Sequence, residues 1–291
     1  MYPATRDAML AHVGQNDPWA ALQFLGLSAV ELNFNREAQT PGFLGRGGQP
    51  FDLSSPAGRR EARAAFDAHG ASVCALLMAN DFSGDMEMEV KWGVSAVEAA
   101  HALGAPAVRI DLVPHQKDYD RTLFEARCIE GVKRILAATE STGVGLGVEN
   151  HGHITNDPAF LDRIFDGVGS PRLGLTLDTA NFYWYGHPLE RVYEIMSRFA
   201  ARVRHTHIKN INYPADERNK QRAIGWEYGQ YCCPLDEGNI DHARVARILQ
   251  GAGYRGALCV EDESLPKRPA EQRPQLMKRN VAELKRCCAI S

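Results

Sequence analysis

Four residues of this 291-residue chain have the types and the spacing to hold a metal ion. Each lies at or near the end of a short apolar run: Glu149, Asp178, His207 and Glu261. In three of the four runs, small residues on one face lead to the polar residue, while bulky apolar residues alternate on the other face. Carboxylate oxygens and an imidazole nitrogen suit Mn²⁺, Mg²⁺ or Co²⁺ better than a sulfur-bound zinc site. The sequence therefore predicts a metal centre built from strand ends.

The spacing of these residues supports the same prediction. Glu149 and Asp178 are 29 positions apart, and Asp178 and His207 are again 29 apart. One strand, one helix and their two loops occupy about that length in an α/β barrel. The step from His207 to Glu261 is 54 positions, which requires an insertion, and residues 211–236 supply it. We expect the first three residues on consecutive strands and residues 211–236 to form a lid-like loop.

The rest of the chain alternates strands and helices without a break in composition. Eight such alternations predict one (β/α)8 TIM barrel over residues 1–291, with a doubly wound open sheet as the structural alternative. No G-x-G-x-x-G follows a strand, so a dinucleotide site is not indicated. Residues 36–54, rich in glycine and polar groups, are expected to be a long loop. The first four predicted strands are 9–14, 29–34, 72–80 and 107–114.

Charge and cysteine content limit the class of partner. A net charge of -3 and a pI near 6.4 do not indicate a nucleic-acid or anionic-membrane surface, so a small molecule is the expected partner. No apolar run approaches the roughly 20 residues of a membrane span, and residues 1–13 lack a signal-peptide layout. Seven scattered cysteines without a CxxC pair indicate free thiols in the cytoplasm. Metal or redox roles for Cys232-Cys233 and Cys287-Cys288 stay open, as does assembly into a homo-oligomer.

Each site residue also has an ordinary structural explanation. Asp178 could cap the turn after its strand, and Glu261 could pair with a nearby lysine. His151, two residues beyond Glu149, is expected to hydrogen-bond either substrate or a metal ligand, whereas His205 is expected to be buried and structural. Alternation turns Glu31 and Arg109 inward, where they predict a buried ion pair.

The motifs V-E-N-H, L-G-L-T-L-D-T-A-N, H-T-H-I-K-N, P-L-D-E-G-N-I-D and C-V-E-D-E resemble the sugar isomerase/epimerase superfamily with a xylose-isomerase-like barrel. That superfamily includes ketose 3-epimerases, hydroxypyruvate isomerases, inosose dehydratases and type IV endonucleases. The resemblance implies that the four residues are metal ligands and that Glu149 and Glu261 also form an acid/base pair. Asn181 stands where many members have histidine, and Tyr213 stands where ketose epimerases place an arginine.

The resemblance implies a divalent-metal-dependent isomerase or epimerase of a sugar or keto-polyol, with Mn²⁺ the expected metal and Mg²⁺, Co²⁺ or Zn²⁺ the alternatives. Glu149 and Glu261 would transfer the proton through a metal-bound enediolate. A dehydratase or lyase acting on a keto-sugar or inosose is the alternative. A phosphodiester endonuclease and a non-catalytic sugar-binding protein fit less well. The residues expected to bind substrate are His151, Asn181, Trp226 and Arg218.

Overall fold

The computed structural model describes residues 1–45, 48–116 and 118–290. Its strands are β1 (Tyr2–Arg6), β2 (Ala29–Asn33), β3 (Gln39–Leu44), β4 (Pro50–Asp52), β5 (Ser72–Leu77), β6 (Ala107–Ile110), β7 (Gly145–Glu149), β8 (Leu173–Asp178), β9 (Val203–Ile208), β10 (Asn210–Ile211), β11 (Cys232–Cys233) and β12 (Ala257–Val260). Its helices are α1 (Asp7–Leu10), α2 (Pro18–Leu25), α3 (Pro56–Ala68), α4 (Met86–Leu103), α5 (Arg121–Ala138), α6 (Pro158–Val168), α7 (Asn181–Trp184), α8 (Leu189–Phe199), α9 (Tyr228–Tyr231), α10 (His242–Gly251) and α11 (Arg273–Cys288).

Eight of the strands close into a parallel barrel with helices between them, in the order β1-β12-β9-β8-β7-β6-β5-β2. The predicted (β/α)8 fold is therefore confirmed. The chain divides into two compact units, one formed by residues 1–30 and 177–291 and the other by residues 31–176. No helix in the described ranges is both long enough and apolar enough to span a membrane.

The unit of residues 31–176 contains the parallel ladder from β5 through β6 and β7 to β8. Glu149, the last residue of β7, lies opposite Thr176 of β8. A Cβ atom on Gly147 would collide with the Thr176 hydroxyl group, so the small residue on this face is required by the adjacent strand. Leu146 and Val148, which alternate with it, are fully buried. The alternation of small and bulky residues in this run therefore corresponds to the two faces of β7.

The unit of residues 1–30 and 177–291 contains the ladder from β1 through β12 to β9. Cys259 of β12 lies opposite His207 of β9, and the backbone N–H of Glu261 donates to the carbonyl of Ile208. These pairings fix how far along the barrel axis Glu261 lies relative to His207.

Asp17 caps α2 with its side chain, ahead of Pro18 at the first helical position, which is the arrangement that fixes a helix start.

Two predicted elements differ from the structure. The first strand is Tyr2–Arg6, not residues 9–14, and the residues that follow it form α1. Met9, Leu10 and Val13 are buried at helical rather than alternating spacing, so their apolar character does not indicate a strand. Residues 36–54 are not a plain loop, because β3 and β4 pair in an antiparallel ribbon.

Candidate metal centre

Three of the four predicted ligands come together in the unit of residues 1–30 and 177–291. Asp178 ends β8, His207 lies near the end of β9, and Glu261 follows β12 directly. Their ligand atoms lie within 4.8 Å of one another, and all three side chains are buried. The carboxyl ends of barrel strands are where this fold places its active sites. The structure thus provides a buried cluster of two carboxylates and one imidazole.

Asp178 uses its two oxygens differently. Its Oδ1 accepts hydrogen bonds of 2.9 Å from the backbone N–H groups of Ala180 and Asn181. Its Oδ2 lies 3.1 Å from the Nζ of Lys209. The capping role is therefore real, and it fixes the carboxylate so that one oxygen remains directed at the cluster.

Glu261 contacts two basic side chains and an imidazole ring. Its Oε1 forms an ion pair with Arg6, and its Oε2 lies 3.1 Å from both the Nδ1 of His207 and the Nζ of Lys209. Pairing with a lysine and membership of the ligand cluster are thus compatible for this residue.

The ring of His205 is buried and meets the ring of His207 edge-on, with centroids 5.6 Å apart.

Lys209 is a member of this site that we did not predict, although it follows His207 by two positions and alternation therefore places the two residues on the same face. The buried ammonium group also lies 2.7 Å from the Oε1 of Glu263. The hydroxyl of Tyr228 donates to the Oε2 of Glu263 at 2.6 Å. Burial and the charge of Glu263 raise the pKa of Tyr228 well above its usual value, so the hydroxyl keeps its proton. A chain of polar contacts thus links the ligand cluster to α9.

Glu149 belongs to the other unit, where Arg109 holds it. The guanidinium group of Arg109 contacts the Oε2 of Glu149, and its Nη1 lies 3.0 Å from both the Oδ2 of Asp111 and the carbonyl of Met78. Burial works to lower the pKa of Arg109, but the carboxylates of Asp111 and Glu149 raise it above its usual value. Glu31, the predicted partner, adds its charge to that effect, and Asp111 and Glu149 contact the guanidinium group.

His151 lies beside this second group. Its Nδ1 is 3.2 Å from the Oδ1 of Asp111, while 48% of the side chain is exposed. The hydrogen bond to Asp111 raises the pKa of His151, against the effect of burial. Its backbone N–H donates to the hydroxyl of Thr155 at 2.7 Å, which fixes the turn after β7. The imidazole ring is thus oriented by Asp111 and remains accessible.

The segment of residues 211–236 is folded rather than loose, because β10 pairs with β11 inside it. Trp226 stacks on Tyr231 with ring centroids 5.6 Å apart, and Tyr213 packs against both. Arg218 donates to the carbonyl of Tyr213 at 3.1 Å. Trp226, which was predicted to contact substrate, therefore packs on two other aromatic residues of the segment.

Arg222 is the centre of that segment. Its guanidinium group lies 4.5 Å from the ring centroids of both Tyr183 and Tyr213. The same group donates to five backbone carbonyls, those of Tyr183, His187, Glu217, Arg218 and Lys220. A planar group with five donors can make such contacts at once, whereas lysine cannot. Arg222 thus fixes the path of the segment.

The donor set fits a divalent cation. Asp178 and Glu261 each offer a carboxylate oxygen and His207 offers a ring nitrogen, and these atoms lie within 4.8 Å of one another in a buried setting. Hard divalent cations and zinc both accept such ligands. The adjacent Arg6 and Lys209 side chains partly neutralise the two carboxylates, so binding of a cation would require these contacts to change.

Comparison with known proteins agrees with this fold. A family model described as a xylose isomerase-like TIM barrel matches residues 19–287. The inosose dehydratase of Clostridium perfringens is 24% identical over 183 residues, which cover 57% of this chain and 60% of that protein. The chain thus matches about 60% of the length of the relatives that it resembles in sequence.

Two solved structures are similar in fold over nearly the whole chain. The IOLI protein with a bound zinc atom has a TM-score of 0.73 at 16% identity, covering 99% of this chain and 100% of that chain. An L-ribulose 3-epimerase has a TM-score of 0.67 at 15% identity, covering 99% and 95%. From the extent of the family match and the fold that accompanies it, we conclude that the chain belongs to the xylose isomerase-like TIM barrel family.

Proposed function

We propose that this protein is a divalent-metal-dependent enzyme with Glu149, Asp178, His207 and Glu261 as metal ligands. The observation that supports this most is the buried cluster of Asp178, His207 and Glu261, with ligand atoms within 4.8 Å. For Glu149 the support is the register of β7 and β8: it lies opposite Thr176, and Asp178 is two residues further along the same strand. Both carboxylates therefore stand at the carboxyl ends of adjacent strands.

Mn²⁺ is the metal that we propose first, with Mg²⁺, Co²⁺ and Zn²⁺ as alternatives. Three carboxylates and one imidazole form a hard, mostly oxygen ligand set without cysteine. The zinc atom in the similar IOLI structure supports a divalent ion of some kind at this fold. When bound, the ion would act as a Lewis acid that acidifies the carbon between a carbonyl and a hydroxyl group.

The reaction that we propose is isomerisation or epimerisation of a sugar or keto-polyol. One of the carboxylates Glu149 and Glu261 would remove the proton from the carbon beside the carbonyl, and the other would return it to a neighbouring carbon or to the opposite face. His151, Asn181, Trp226 and Arg218 are the proposed substrate contacts. His151 has the strongest local support, because Asp111 orients its ring and about half of its side chain is exposed.

A dehydratase acting on a keto-sugar or inosose is the second candidate, and the inosose dehydratases among the relatives favour it. The first step would be the same proton removal by a glutamate. The carboxylic acid so formed, or the second one, would then protonate the hydroxyl group on the next carbon, which would leave as water instead of a proton returning to carbon. The two candidates share the ligands and the base and differ only in the fate of the carbanion.

We further expect a cytoplasmic enzyme with a small-molecule substrate, because all seven cysteines are free thiols, as in a reducing compartment. A homo-oligomeric state remains a prediction that solution measurements would decide.

One experiment tests the proposal. The purified protein would be analysed for bound metal, loaded with Mn²⁺, and incubated in deuterium oxide with a panel of keto-sugars and inososes. We expect deuterium at the carbon beside the carbonyl, either in a rearranged sugar or in a dehydrated product. Turnover that leaves every carbon-bound hydrogen in place would contradict proton transfer by the glutamates.

A further inference from the structure

Lys209 places a buried positive charge among the ligand carboxylates. Its Nζ lies 3.1 Å from the Oδ2 of Asp178, 3.1 Å from the Oε2 of Glu261 and 2.7 Å from the Oε1 of Glu263. An ammonium group has three N–H donors, and three carboxylates surround this one. The group is thus held by charge on three sides.

The two oxygens that Lys209 contacts on the ligands are those directed at the cluster. Asp178 uses its other oxygen to cap two backbone N–H groups. Glu261 uses its other oxygen for Arg6, while its Oε2 lies 3.1 Å from the Nδ1 of His207. A cation bound by Asp178, His207 and Glu261 would use the same two oxygens. Lys209 and the metal therefore compete for one pair of atoms.

We propose that Lys209 is the resident counter-cation of this cluster, and that a divalent metal ion binds by displacing it towards Glu263. This inference rests on the proposed function, because it takes Asp178 and Glu261 as ligands. Lysine suits the role, since its ammonium group is a point charge on a flexible stem, whereas arginine is a rigid fork.

Glu263 is suited to receive the displaced ammonium group. It already makes the shortest of the three contacts, at 2.7 Å, and its side chain is 41% exposed. The hydroxyl of Tyr228 holds its second oxygen at 2.6 Å, so the carboxylate stays in position when the other contacts of Lys209 are lost. Lys209 can thus move away from Asp178 and Glu261 and still keep one carboxylate partner, Glu263.

The proposal predicts opposite effects at the two ends of this ion pair. Removal of the ammonium group in Lys209→Met eliminates both the competition and the repulsion between two like charges. Removal of the receiving charge in Glu263→Gln leaves Lys209 more firmly on Asp178 and Glu261. Metal affinity should therefore rise in the first variant and fall in the second.

The test measures Mn²⁺ binding to metal-stripped full-length protein by titration calorimetry, together with thermal unfolding with and without Mn²⁺. Lys209→Met should bind Mn²⁺ at least about tenfold more tightly than the unaltered protein. It should also unfold at lower temperature without metal and gain more from added Mn²⁺. Glu263→Gln should bind several-fold more weakly.

The surface ion pair between Lys220 and Glu217 is the matched control. Its N–O distance is also 2.7 Å, but both residues lie in solvent-facing positions of the 211–236 segment. Lys220→Met and Glu217→Gln remove the same groups and should leave the dissociation constant for Mn²⁺ within about twofold, as expected for an exposed pair.

Equal or weaker Mn²⁺ binding by Lys209→Met would overturn the inference while leaving the proposed metal site intact. If that variant does not fold, Glu263→Gln decides, because unchanged or tighter binding there contradicts the displacement. Absence of Mn²⁺ binding in the unaltered protein and in every variant would overturn both the inference and the proposed function. Tighter binding in Lys209→Met without deuterium exchange in any sugar would support the inference and contradict the proposed reaction.

Discussion

Arg109 and Lys209, buried cations beside the proposed ligand carboxylates, differ in kind. Arg109 contacts Glu149 and Asp111 and also donates to the carbonyl of Met78. Lys209 contacts the carboxylates of Asp178, Glu261 and Glu263. A guanidinium group that donates to a backbone carbonyl has a fixed orientation, whereas an ammonium group on a flexible stem among three carboxylates moves when the charges change. Glu149 is thus positioned by the fold, and Asp178 and Glu261 are positioned partly by electrostatics.

The sharpest test of this difference concerns the two glutamates. Glu149→Gln and Glu261→Gln each keep one coordinating oxygen and remove the base, so each should lower kcat by about a hundred- to ten-thousand-fold. Steady-state turnover and manganese content would be measured on the substrate found by deuterium exchange. Glu125→Gln, at the surface ion pair with Arg163, is the control and should be fully active. Full activity in either ligand variant would contradict the paired role.

The next largest effect is expected at Arg109. Arg109→Met leaves the buried carboxylates of Glu149 and Asp111 without their counter-cation and should reduce the free energy of unfolding by about 3–5 kcal/mol. Urea denaturation monitored by circular dichroism would measure the loss. Arg191→Met removes a cation from an exposed pair with Glu194 and should cost less than about 1 kcal/mol. Similar losses of unfolding free energy in the two variants would show that Arg109 does not hold Glu149 and Asp111 in place.

A smaller loss of stability is expected at the strand that leads to Glu149. A Cβ atom in Gly147→Ala would meet both the hydroxyl group and the backbone nitrogen of Thr176, so overpacking should cost about 1–3 kcal/mol. Gly251→Ala, where a Cβ atom meets nothing within 4 Å, is the control and should be neutral or slightly stabilising. Equal free energies of unfolding for the two variants would show that β7 and β8 separate easily to admit a side chain.

The smallest effect on activity is expected in the 211–236 segment, which contains Tyr228. Trp226→Ala should raise KM several-fold, since a lost stacking contact is worth about 1 kcal/mol, and should leave the affinity for Mn²⁺ unchanged. Steady-state kinetics would measure KM, and titration calorimetry would measure the dissociation constant of Mn²⁺. A loss of metal affinity without a change in KM would mean that the 211–236 segment supports the ligands and does not cover a substrate.

Local pattern was sufficient to predict the strands that carry the ligands. The runs ending at Glu149 and Asp178 alternate small and bulky residues, and burial on both faces of β7 and β8 follows from that alternation. The first strand was predicted wrongly, because Tyr2–Arg6 is short and contains a proline, while the apolar residues beside it belong to a helix. The β3–β4 ribbon was missed because Pro41 and Gly42 are poor strand formers.

The partners of the charged residues could not be predicted from pattern. Alternation turned Arg109 inward but did not indicate that Glu149 and Asp111 would contact it. Lys209 likewise lay on the correct face, yet its contact with Glu263 joins positions 54 residues apart in sequence. Such pairings depend on the register between strands, which a single strand does not encode.

The position of Arg222 between two tyrosine rings has a thermodynamic consequence for ligand binding. Five carbonyl acceptors and two aromatic faces already order the 211–236 segment in the free protein. Ordering a loop of this length upon binding would oppose association through lost conformational entropy, at roughly 1–2 kcal/mol for each residue fixed. Here that entropy is lost during folding. A small molecule bound beneath the segment should therefore show a modest heat-capacity change, set by its own buried surface rather than by folding of the protein around it.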